Sequence, residues 1–84
     1  LTENKYSVYP NPVSNRLTVT SAMQSLKPTD ISVYDLQGKL YRVTTTRQVS
    51  SNKVELDISP LANGVYMIRV NTGAENKVFR VVKQ

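Results

Sequence analysis

The chain contains no histidine, no cysteine and no tryptophan. Thiolate and imidazole metal sites, Cys or His nucleophiles and disulfides are therefore excluded. Acids are scarce: Glu3, Asp30, Asp35, Glu55, Asp57 and Glu75 never fall into calcium-loop spacing. Asp35, Gly38 and Lys39 share a short loop, where a lone acid is a turn former rather than a ligand. No metal and no cofactor are expected. No apolar run approaches the length of a membrane span and no signal-peptide pattern opens the chain, so membrane insertion is not expected. With no His and no paired carboxylates in one loop, neither is an enzyme.

What is present is basic, small and β-patterned. The formal charge is +5, from 11 Lys and Arg spread between Lys5 and Lys83. That spread suits a solvated surface better than a nucleic-acid footprint. Lys77, Arg80 and Lys83 are the closest basic grouping, yet on a strand Arg80 has the opposite parity to the two lysines. Phe79 is the lone aromatic among them, too thin a stacking surface for bases, and no nucleic-acid partner is expected. At 84 residues the chain is one small domain that needs a continuous apolar core. Its 39% hydrophobic content suits a sandwich of short strands and leaves little for a buried cleft.

Period-two alternation runs nearly throughout. Leu17 and Val19 alternate with Thr18 and Thr20, Ile31 and Val33 with Ser32 and Tyr34, and Val54, Leu56 and Ile58 with Glu55 and Asp57. Tyr66, Ile68 and Val70 form one face of a further strand whose other face, Val65 and Met67 with Arg69, is also largely apolar, which points to a central position or a covered outer face. All three glycines fall between these segments, where positive φ is cheap only for Gly or Asn, and all four prolines at boundaries. The pattern predicts seven strands: 6–9, 16–21, 30–34, 39–45, 53–58, 65–71 and 76–83. Residues 44–51, rich in Ser, Thr and Gln, are expected to be a flexible connection. Seven short strands predict an all-β, immunoglobulin-like antiparallel sandwich, with an open barrel as the competing architecture. Leu56, Pro60, Leu61 and Tyr66 straddle a strand crossing, where a tyrosine corner would place the Tyr66 phenol against backbone.

Four motifs follow one another: Tyr9-Pro10-Asn11-Pro12-Val13, then Ile31 to Lys39 with Asp35-Leu36-Gln37-Gly38 at its centre, then Leu56 to Val70 with Asn63-Gly64-Val65-Tyr66, and finally Lys77 to Lys83. Their order resembles the carboxy-terminal sorting domain of type IX (Por) secretion system cargo of Bacteroidetes. The resemblance implies an immunoglobulin-like fold and a role in traffic. Residues 5–84 would be the signal, read by the outer-membrane secretion machinery while the cargo is in the periplasm. A sortase-like cysteine peptidase would then remove it, leaving the cargo attached at the cell surface or secreted. Residues 1–4 would be a remnant of the linker, and since the chain opens on Leu1 rather than Met, a larger amino-terminal cargo domain is expected ahead of it.

Signal-like positions of the family fall on Gly64, Val65, Tyr66, Lys77, Val78, Val82 and Lys83. Pro10, Asn11 and Pro12 match its first motif, and Asp35 and Gly38 its second, with turn-forming roles. Lys83 is expected to be a solvated terminal charge, so that a role for it would lie in recognition. Apolar residues on both faces of the last two strands predict a homodimer. The alternative from another class is a fibronectin-like or carbohydrate-binding module; its aromatic platform would have to come from Tyr6, Tyr9, Tyr34 and Tyr41, with Tyr34 and Tyr41 near one hairpin.

Overall fold

The computed structural model describes residues 6–22, 25–41, 46–73 and 75–84, Thr46 by its backbone alone. Eight strands occupy the described residues: β1 (Tyr6–Tyr9), β2 (Arg16–Ser21), β3 (Ile31–Asp35), β4 (Leu40–Tyr41), β5 (Thr46–Ser50), β6 (Lys53–Asp57), β7 (Gly64–Asn71) and β8 (Asn76–Lys83). They form two four-stranded sheets, ordered β1-β2-β6-β5 and β4-β3-β7-β8, with every strand pair antiparallel. This is the order of an immunoglobulin-like sandwich with β4 added beside its three-stranded sheet. The β-sandwich stands and the barrel does not, because the strands close into two separate sheets.

Alternation decides the core. Leu17 lies opposite Leu56 and Val19 opposite Val54 on the inner face of the first sheet. Val33 faces Ile68, and Tyr66 faces Val81, on the inner face of the second. All of these side chains are buried, together with Val13, Leu26, Ile58 and Val70. Each fully buried Val, Leu or Ile contributes about 1.5–3 kcal/mol relative to an exposed position. Strand β7 is central, between β3 and β8, as its two apolar faces require.

Two expectations are corrected. Among the described residues the strand count is eight, because the stretch expected to be a flexible connection contains β5 at Thr46–Ser50. Its residues Arg47, Gln48, Val49 and Ser50 are exposed and it is an edge strand, so it needs no apolar face and carries no alternation to read. Strand β3 also begins one residue late, at Ile31, since Pro28–Asp30 forms a 3₁₀ turn in which the Asp30 carboxylate accepts from the Lys27 amide at 3.0 Å. The remainder of the predicted fourth strand at 42–45 and the linker at 1–4 lie outside the described residues.

Candidate recognition surface

The four motifs, far apart in sequence, meet at one end of the sandwich. At the β3–β4 hairpin, Asp35 Oδ1 accepts from the amides of Gln37 and Lys39, both at 2.9 Å. Gly38 completes the turn at φ 87°, its amide donating to the Asp35 carbonyl at 3.1 Å. The Tyr41 hydroxyl donates to Asp35 Oδ2 at 3.1 Å. The amide of Lys39, then those of Gln37 and the Tyr41 phenol, hold the Asp35 carboxyl below its ordinary value, while the same contact with Asp35 pushes the Tyr41 phenol up.

Tyr41 packs edge-on against Tyr66, with ring centroids 5.6 Å apart. Tyr66 is 5% exposed, and its hydroxyl donates to the Ala62 carbonyl at 2.6 Å across the β6–β7 corner. The tyrosine corner is therefore present, and Tyr66 is a core residue. Gly64, at the start of β7, has φ 154°. That value lies far from the left-handed region near +57° that Asn tolerates, so Gly alone fits, and the expectation that Asn would serve here does not hold. A Cβ at Gly64 would meet no atom within 4 Å, so the constraint is backbone conformation and not space.

The first and last motifs close the same end. Strand β8 is an edge of its sheet, and the segment after β1 crosses to cover part of it. Asn11 Oδ1 accepts from the Val82 amide at 3.0 Å and Asn11 Nδ2 donates to the Arg80 carbonyl at 3.2 Å. One side chain thus stands in for a strand partner. Val13 continues the cover: its amide donates to the Val82 carbonyl and its carbonyl accepts from the Gln84 amide, both at 2.8 Å. The peptide bonds preceding Pro10 and Pro12, which flank Asn11, are both cis.

Lys83 departs from expectation. It is only 7% exposed, forms a parallel bridge with Val13, lies opposite Gly64, and points its ammonium at Asn63 Oδ1, 3.5 Å away. Its stem is packed into the closed end of the sandwich while the head reaches a polar loop. The premise of a solvated terminal charge fails because the cover over β8 extends to the last residues.

The remaining candidates divide by face. Val65 and Val82 are cross-strand partners on the outer face of the second sheet, and Val78, 54% exposed, lies further along that face opposite Arg69. Met67 and Tyr34, also paired, and the exposed Leu40 extend this surface. An open groove of ≈ 520 Å³ runs across it, lined by Tyr34, Leu36, Met67, Arg69, Asn76 and Val78. Lys77 does not join the cluster. It pairs with Val70 near the other end of β8, about 20 Å from Lys83 at the rise of an antiparallel strand. The alternation of β7 and β8 already implied a second apolar face on these two strands; what it did not show is that Tyr34 and Leu40 of the β3–β4 hairpin continue it.

No aromatic platform for a glycan forms among the described residues. Tyr6 and Tyr66 are buried, and Tyr34 and Tyr41 occupy opposite faces, since Tyr41 pairs with the buried Val33. Among the described residues no group of three or more acidic, His or Cys side chains gathers at one point. The profile for the secretion system C-terminal sorting domain matches residues 7–84, nearly the whole chain and all four motifs. No curated protein and no solved structure is a match. Motifs that close one end of an immunoglobulin-like sandwich in this family's order leave one assignment, and the chain belongs to the family of secretion system C-terminal sorting domains, the signal of the type IX (Por) system.

Proposed function

We propose that residues 5–84 act as a folded, non-catalytic signal whose outer face on the second sheet docks on the outer-membrane secretion machinery. The observation that carries this reading is the gathering of Val65, Val78 and Val82 with Tyr34, Leu40 and Met67 on one solvent-facing surface. A monomeric surface rarely leaves such a patch uncovered without a partner. Gly64, Tyr66 and Lys83 then serve recognition indirectly, by fixing the end of the sandwich on which the face is built. The cargo ahead of the domain passes through the periplasm, and a sortase-like cysteine peptidase removes the domain as the cargo reaches the cell surface or is released. The same apolar face supports pairing with a second copy at high concentration.

The test is deletion of residues 5–84 from the natural precursor. The cargo is expected to stay in the periplasm; normal surface display of the truncated protein would overturn the reading.

A further inference from the structure

Among the described residues, strand β8 is covered along only half of its free edge. Successive residues of a strand direct their backbone groups to opposite sides. The outward set is identified by its occupied members: the Arg80 carbonyl and the Val82 amide meet Asn11, and the Val82 carbonyl and Gln84 amide meet Val13. By the same alternation, the amide and carbonyl of Val78 and the amide of Arg80 also point outward. Among the described residues nothing bonds to them. The open stretch, Asn76 to Arg80, adjoins the outer-face groove, which Val78 helps to line.

Unpaired edges recruit strands, and the side chains around this one select which. Lys77 and Arg80 are exposed, and no ion pair engages either among the described residues. Arg69, half-buried with its Nε donating to Asn76 Oδ1 at 3.0 Å, adds a third positive charge opposite Val78. A second copy of β8 would bring Lys77 and Arg80 against basic residues of its own kind. We propose that the open half of the β8 edge takes up an extended segment of a partner protein bearing two carboxylates three residues apart, with an apolar residue between them. In that register the carboxylates lie beside Lys77 and Arg80, the apolar residue lies beside Val78, and the outward groups of Val78 and Arg80 complete a ladder. Asn11 sets the end of the site by occupying the next positions.

This proposal rests on the reading of the second sheet as the recognised element and gives it a partner chemistry. It is tested on the 84-residue chain in solution, so its failure is separate from that of the export experiment. The probe is a synthetic seven-residue peptide of threonine and valine with glutamates at its third and sixth positions; the control carries lysines there. Amide exchange read by NMR is expected to slow at Val78 and Arg80 with the glutamate peptide, which binds at least about fivefold more tightly than the control. The double variant K77E/R80E is expected to reverse that preference. Val78→Pro removes an outward amide without touching the ladder to β7, and is expected to abolish binding at an unchanged melting temperature. If Val78→Pro does not fold, the charge reversal carries the test. Unprotected Val78 and Arg80 amides, or equal binding of the two peptides, would overturn the proposal.

Discussion

The two sheets share one core but present opposite surfaces to solvent. Outside the first sheet stand Arg16, Thr18 and Thr20 of β2, with Lys53, Glu55 and Asp57 of β6, Tyr9 of β1 as its exposed aromatic and, among the described residues, one ion pair, Arg16 to Glu55 at 3.8 Å. Outside the second stand Tyr34, Leu40, Val65, Met67, Val78 and Val82, interrupted by Ser32, Arg69 and Arg80. Both sheets bury the same kind of inner face, so folding alone requires nothing apolar on either outer face. The first sheet is what a solvated antiparallel sheet needs to be, and the second carries hydrophobic area that stability does not explain. The difference is what supports the proposal that recognition lies on the second sheet.

Neighbouring residues on β7 break the comparison most sharply. Ile68 is fully buried and Met67, next to it, is half-buried on the outer face. Ile68→Ala is expected to destabilise the domain by about 2–5 kcal/mol. Met67→Ala is expected to cost about 1 kcal/mol or less while impairing export. Chemical denaturation beside a surface-display assay checks both, and equal losses of stability would erase the distinction between the faces.

Next in size is the cover of β8. Asn11→Ala removes two hydrogen bonds at once and is expected to cost about 1–3 kcal/mol, since each contributes about 1 kcal/mol. Exchange of the Val82 amide should accelerate with it while that of Leu17 follows only global unfolding. Removing Lys83 and Gln84 is likewise expected to lower the melting temperature, because both residues bond within the closed end.

A smaller effect comes from the hairpin carboxylate. Asp35 is held below its ordinary value, first by the Lys39 amide, and Asp57 below its own, first by the Ser59 side chain. A depressed carboxyl adds stability that is present above its unfolded value of 3.8 and is lost as pH falls through the folded value. Melting temperature is therefore expected to decline below about pH 4, less steeply in Asp35→Asn, as thermal scans between about pH 2 and 6 will register.

Much of this was legible in sequence because alternation reports half-buried strands directly. Leu17, Val19, Val54, Leu56 and Ile58 were placed correctly, as was the Tyr66 corner, whose loop spacing is local. Strand β5 was not legible, since an exposed edge strand is under no pressure to alternate. Lys83 was misjudged for a different reason. Its burial depends on Val13 arriving from the far end of the chain, and a contact between residues so distant in sequence leaves no periodic trace at either one. Asn11 was matched to its motif, but its mimicry of a strand follows only from the sheet order that makes β8 an edge.

The central claim is that export reads the outer face of the second sheet, beyond requiring that the domain fold. Its most direct test replaces Val65, Val78 and Val82 together by threonine, which keeps β-branched shape and removes apolar surface. Thermal melting of the domain is to be set beside surface display of the full precursor, with Thr18→Val and Thr20→Val as the control on the other face. The account expects the melting temperature to fall by only a few degrees while display is lost. Display that merely follows melting temperature across both sets of variants would contradict it.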